Sequence, residues 1–258
     1  MSHINTVFKP SYKALLAYLT VGYPDLEATR RAAVALAENG VDIIELGIPF
    51  SDPLADGTTI QKASYRALQQ GVTLQGCFDM AGQLQREITV PLVFMTYYNP
   101  VFTFGLEPFC RKCNEAGISG LIIPDLPPEE GEELEVITRK HQLDLIYLLA
   151  PTSSEERIAA VAKRSRGFIY LVSLTGVTGA RQTLPVELKS FIGRVKQQAK
   201  QPLCVGFGIA SPEQASRVAG IADGVIIGSR LIQLIEEDAT LARLKEFTSS
   251  IRHALDKR

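Results

Sequence analysis

A (β/α)8 barrel is the fold class predicted for this 258-residue chain, on three observations. Eight short runs of Val, Ile and Leu recur along it, nearly continuous rather than alternating, as strands buried on both faces must be. Between them lie stretches of helical spacing, so the order is strand, helix, strand, helix throughout. The strand starts are mostly 21 to 35 residues apart, and no linker, repeat array or low-complexity tract interrupts them. Right-handed crossovers repeated eight times close such a sheet on itself. An open doubly wound sheet is the competing topology, because periodicity alone does not show closure. The expected organisation is one domain over residues 1–258, a length that α/β barrels commonly reach as a single unit.

The eight strands are expected at residues 13–19, 41–47, 91–97, 119–124, 144–150, 167–173, 202–207 and 223–228. After the first, LEATRRAAVALAENG reads as a helix with Asp25 as its cap and Gly40 as its stop. The second and third strands start 50 residues apart, leaving room for the segment PFSDPLADGTTIQ and an extra helix. FCRKCNEAG, after the third, reads as one helix in which Cys110 and Cys113 are small buried fillers. SSEERIAAVAKRSRG opens on serines, places acids in its first turn and closes on basic residues, in agreement with the helix dipole. SPEQASRVAG begins with Ser211 as cap and Pro212 at the first helical position.

Composition excludes several classes of function. The 27 Lys+Arg against 28 Asp+Glu leave no basic surplus for nucleic acid or an anionic membrane. No apolar run approaches ~18 residues, and the start, MSHINTVFKPSYK, lacks the apolar stretch of a signal peptide. The chain therefore reads as soluble, in the cytoplasm or a plastid stroma. None of the three histidines, His3, His141 and His253, follows a strand, which argues against a histidine triad or metal site. No second cysteine pair or nearby histidine completes a zinc set around Cys110 and Cys113.

In such a barrel, chemistry sits at the C-terminal ends of the strands. Glu45 is a carboxylate among Ile43, Ile44, Leu46 and Ile48, a placement that costs several kcal/mol unless the acid is paired or protonated. It is either half of a structural ion pair or a functional acid. Asp52 and Asp56 follow in a stiff Pro/Gly loop, as turn residues or as a second acid. After the last two strands, VGFGIASPEQ and VIIGSRLIQ place Gly206, Gly208, Gly228 and Ser229 beside helix starts. Such turns suit a phosphate, or they serve only to bend the chain. VSLTGVTGARQTLP, after the sixth strand, is long enough to be a lid bending at Gly176 and Gly179. Tyr18, Tyr97 and Tyr170 lie at or near strand ends, where tyrosines enclose a flat substrate or merely pack.

These segments together resemble the tryptophan synthase α-subunit family. The resemblance runs from ALLAYLTVGYPD to VIIGSR and is most specific in IELGIPFSDPLADGTTIQ. YNPVF, GLIIPDLP, GVTGAR and VGFGI agree in order and spacing. It implies a TIM barrel that cleaves indole-3-glycerol phosphate to indole and glyceraldehyde 3-phosphate. By resemblance, Glu45 and Asp56 fall on the two catalytic carboxylates. Gly179, Gly206, Gly208, Gly228 and Ser229 fall in the phosphate-binding segments, and Tyr18, Tyr97, Tyr170 and Phe207 around the substrate. No cofactor is implied for this chain. Pyridoxal phosphate would belong to a β-subunit partner in an αββα assembly that receives the indole. A stand-alone lyase working without that partner fits the same residues, as do another phosphate-binding barrel enzyme and a dead subunit that only activates its partner. Two departures stand out: Thr58 where the family usually has Pro, and Leu174 where it commonly has Arg.

Overall fold

The protein is described by a computed structural model over residues 3–172, 186–206 and 208–257. Gly179, Phe207, Leu174 and the expected lid after residue 172 lie outside the described residues.

The first half runs β1 (Ala14–Thr20), α1 (Leu26–Glu38), β2 (Ile43–Gly47), α2 (Thr58–Gln69), α3 (Leu74–Leu84), β3 (Leu92–Met95), α4 (Tyr98–Phe104), α5 (Leu106–Glu115) and β4 (Ile118–Ile122). It continues through α6 (Glu132–Lys140), β5 (Asp144–Ile146), β6 (Leu148–Leu149), α7 (Glu155–Arg164), β7 (Ile169–Val172), α8 (Val186–Gln198), β8 (Leu203–Gly206), α9 (Pro212–Ala219), β9 (Gly224–Ile227), α10 (Ser229–Glu237) and α11 (Ala242–Asp256). All pairings are parallel, in the order β5-β4-β3-β2-β1-β9-β8-β7-β6. The two ends of that order, β5 and β6, are successive pieces of one stretch of chain separated by Tyr147. The sheet is therefore a barrel, and the open alternative is set aside.

The expected fifth strand, residues 144–150, is thus broken in two. Its first piece pairs with β4 and its second with β7, and Tyr147 at the break donates its N–H to Ser165 Oγ at 3.1 Å. The extra helix of the second connection is present, and the third connection also carries two helices, α4 and α5.

The near-continuous apolar strands are explained by two separate cores. One side of each strand fills the lumen, with Leu16, Ile43, Val93, Ile122, Phe168 and Ile226 among its members. The alternate residues, such as Leu15, Ile44, Leu46 and Phe94, pack under the helices. A short 3-10 turn at Ile4–Thr6 closes the N-terminal end of the lumen: Ile4 is fully buried, and Phe8 meets Phe168 at 6.1 Å between ring centres.

Local signals behave as expected. Asp25, Ser154 and Ser211 accept hydrogen bonds from Ala28, Arg157 and Gln214 N–H, and Pro212 sits in the first turn. Gly40 stops α1 at φ +92°, a conformation that favours glycine. Cys77, Cys110, Cys113 and Cys204 are free and buried, and burial pushes the Cys110 thiol up to about 12.

One buried charge does structural work. Glu135 on α6 accepts from Tyr147 Oη at 2.8 Å and pairs with Arg164 at 2.6 Å and Arg139 at 3.1 Å. It ties α6 and α7 to the break in the fifth strand. Glu135→Ala is expected to destabilise by about 2–3 kcal/mol, because both arginines can turn towards solvent; a fully buried pair would cost ~3–5. A fall in the urea midpoint at unchanged slope is the check.

Candidate active site

Glu45 is at the centre of β2, facing the lumen. It is fully buried, and neither carboxyl oxygen has a hydrogen-bond partner among the described residues. Among the described residues, the structural ion pair considered above is absent. Burial alone pushes this acid up from 4.5 to about 8, so near neutral pH it holds a proton.

Asp56 is brought towards the same mouth by the loop after β2. Phe50 N–H bonds Ser64 Oγ at 2.9 Å, fixing the loop's start against α2. Tyr97, just past β3, then acts as a latch. Its hydroxyl donates to Asp56 Oδ2 at 3.1 Å and accepts from Ala55 N–H at 3.0 Å, while its ring stacks on Phe50 at 5.2 Å. Asp125, after β4, accepts from Tyr98 N–H at 2.9 Å and so ties in the next loop. Burial pushes the Asp56 carboxyl up to about 6, against the lowering effect of the Tyr97 bond. At pH 7 Asp56 is mostly ionised and Glu45 mostly protonated, two carboxyl groups with opposite capacities. Asp52, by contrast, is exposed and belongs to the turn. Thr58 opens α2 after Gly57, which offers no side-chain cap.

Tyr18 and Tyr170 enter the lumen by the same geometry. Tyr18 is the register partner of Glu45, and its hydroxyl lies across Gly47, two residues further on: a Cβ built at Gly47 would fall 2.1 Å from it. Tyr170 is the register partner of Cys204 and crosses Gly206, again two residues on, where an added Cβ would be 2.7 Å from its hydroxyl. Both phenols are raised chiefly by burial and then by the fields of the carboxylates, Asp56 foremost on Tyr18 and Glu45 foremost on Tyr170. Glu45, Asp56, Tyr18, Tyr97 and Tyr170 therefore share one site. Gly47 was missed from sequence. Its signal was a glycine two residues beyond an acid in an otherwise branched strand, and its meaning depends on cross-strand register.

The expected phosphate glycines differ among themselves. Gly206 makes room for Tyr170. Gly208 has φ +62° and open space where a Cβ would be, so backbone conformation is what favours glycine there. Gly228 caps α10 and Ser229 is its first residue, with no side-chain cap, which leaves first-turn N–H groups for an anion. The start of α9 is already occupied by Ser211.

A cavity of about 670 Å³ opens at the opposite, N-terminal end of the barrel, lined by Arg139, Arg166 and Lys200 among others. Among the described residues that line it, Asp144 is the one carboxylate, so it offers no pair of carboxyl groups. Among the described residues, no group of three or more His, Cys, Asp or Glu could hold a metal ion, and no helix is long and apolar enough to cross a membrane.

The sequence profile described as tryptophan synthase alpha chain matches residues 4–255. The chain is 56% identical to the tryptophan synthase alpha chain of Dehalococcoides mccartyi, over 99% of this chain and all of that one. It is 47% identical to that of Geobacter sulfurreducens, over 95% and 94% of the two chains. Among solved structures, it matches a Mycobacterium tuberculosis tryptophan synthase chain with a TM-score of 0.92 at 40% identity, over 98% of each chain. The alpha subunit from Legionella pneumophila matches with a TM-score of 0.91 at 38% identity, over 100% of each.

Proposed function

The chain belongs to the tryptophan synthase alpha chain family, and from that premise we propose that Glu45 and Asp56 are the acid and base of its carbon–carbon cleavage. The reaction splits indole-3-glycerol phosphate into indole and glyceraldehyde 3-phosphate. The observation that carries the assignment is Glu45: a lumenal carboxyl group, without a partner among the described residues and held neutral, in the same mouth as an ionised one.

The chemistry follows from the leaving group. Direct cleavage would expel an indole carbanion, so the ring carbon bearing the side chain must first be protonated. Glu45 gives that proton. Positive charge then builds on the indole ring, and Asp56 stabilises it by drawing on the ring N–H proton, which it gives back to the nitrogen when the ring regains the bonding electrons. The bonding electrons move into the ring. Glu45, now ionised, takes the proton of the hydroxyl next to the breaking bond, and the aldehyde forms. Tyr97 holds Asp56 for this step by its hydrogen bond. Tyr18, Tyr97, Tyr170 and Phe207 enclose the substrate. The phosphate is bound by first-turn N–H groups at Gly228 and Ser229, with Gly206, Gly208 and Gly179 in the adjoining segments. It is remote from the reacting bond, and its binding energy orients the substrate. None of these steps requires a cofactor in this chain.

The relatives are alpha chains over their full length, which does not favour a stand-alone lyase. We place the β-subunit partner, carrying pyridoxal phosphate in an αββα assembly, against the loops after β2 and β3. Leu54 and Phe102 there are 92% and 65% exposed, apolar side chains on either side of the Tyr97 latch. The bacterial relatives named above support a cytoplasmic enzyme rather than one of the plastid stroma.

Indole release by the purified chain, alone and with a β subunit, is the test. Release from indole-3-glycerol phosphate is expected, with strong activation by the partner. Phe102→Asp should abolish the activation and leave the unassisted rate in place. No indole release under either condition would defeat the cleavage reading.

A further inference from the structure

Tyr18 spans the distance between the two ends of the bound substrate. Its Cβ lies 3.4 Å from the position of a Cβ at Gly228, at the start of α10. Its hydroxyl occupies the place that a side chain at Gly47 would take, on the mouth side of Glu45 in the same strand. The ring is fixed between these points by Tyr23, Ala63 and Ile232, so little rotamer freedom remains to be lost when a ligand arrives. At the hydroxyl, Thr20 Oγ1 donates to the oxygen at 3.3 Å, and the phenolic proton has no acceptor among the described residues. A buried O–H whose proton meets no acceptor among the described residues, 6% exposed as a residue, is suited to a polar group that arrives with the ligand.

A substrate whose phosphate sits at α10 and whose reacting carbon sits at Glu45 must carry its intervening carbons along Tyr18. We propose that the Tyr18 hydroxyl donates a hydrogen bond to the glycerol hydroxyl that is not ionised in the reaction, on the carbon between the reacting carbon and the phosphate-bearing CH2. Tyr18 is then a specificity residue for the polyol chain of the substrate. Burial and the nearby carboxylates keep its proton in place, so it acts as a donor throughout the working pH range. This inference rests on the cleavage reading and deepens it.

Tyr18→Phe keeps the ring and removes only the donor. Two ligands separate the roles: indole-3-glycerol phosphate, and indole-3-propanol phosphate, which has the same ring and phosphate but no glycerol hydroxyl. For the variant, kcat/KM with the true substrate is expected to fall about three- to tenfold, the usual worth of one neutral hydrogen bond. Kd for the propanol analogue should stay within about twofold of wild type. Equal weakening of both ligands would show a packing role and overturn the proposal, as would no change in either. Wild-type indole release, measured alongside, tests the cleavage reading independently.

Discussion

Glu45→Gln should abolish indole release and at the same time make the protein more stable. The loss of turnover, at least a hundredfold, follows from removing the only proton that Glu45 can deliver to the ring carbon. The gain in stability follows from burial. Folded Glu45 titrates near 8, whereas the same side chain in the unfolded chain titrates near 4.5. Below pH ~4 both states hold the proton and the shift has no effect on stability. As pH rises, the unfolded state ionises first and is favoured, by about 3 kcal/mol at pH 7. Above pH ~8 the folded state ionises too and the effect levels off. Glutamine has the shape of the neutral acid, and its similarly unsatisfied polar atoms do not titrate. The variant should therefore melt roughly 5–10 °C higher than wild type at pH 7, with the gap closing as pH approaches 4. Thermal melts across that range are the measurement. A variant that melts lower at pH 7 would mean Glu45 is an ionised, paired group, and the proton-donor role would fall with it.

What could be read from sequence divides along the line between local and cross-strand information. Caps at Asp25, Ser154 and Ser211 depend on neighbours three residues away, and they were legible. Glu45 was legible as an anomaly, since an acid in a doubly buried strand needs a reason. Its lack of a partner among the described residues was not, because any partner would come from a strand or helix distant in sequence. The break at Tyr147 interrupts an apolar run without a glycine or proline to mark it. Its cause is tertiary, with the phenol held by Glu135 and the backbone by Ser165. Gly206 shows the same limit. Its position suggested a phosphate turn, and its lack of a side chain also makes room for Tyr170 from the neighbouring strand, a requirement that only cross-strand register reveals. The plug at Ile4 is three residues of 3-10 turn, too short for periodicity to detect.

For Asp56, the pH profile says more than the rate. Asp56 must be ionised to accept the ring proton, and its carboxyl titrates near 6, raised mainly by burial. Activity should therefore be lost as pH falls through about 6. Glu45 must be protonated, so activity should also be lost as pH rises through about 8. Wild-type kcat/KM is expected to be a bell with its maximum near 7, its limbs belonging to the pair of carboxyl groups. Asp56→Asn removes one titrating group and leaves the other. The rate should drop between about tenfold and a thousandfold, the acid limb should disappear, and the alkaline limb should remain near 8. The opposite reading assigns the acid limb to substrate phosphate, whose second ionisation also lies near 6. In that case the limb would survive in Asp56→Asn. Retention of the limb would remove Asp56 from the proton path even if the variant were slow, because a slow enzyme with an unchanged profile has lost geometry and not a base.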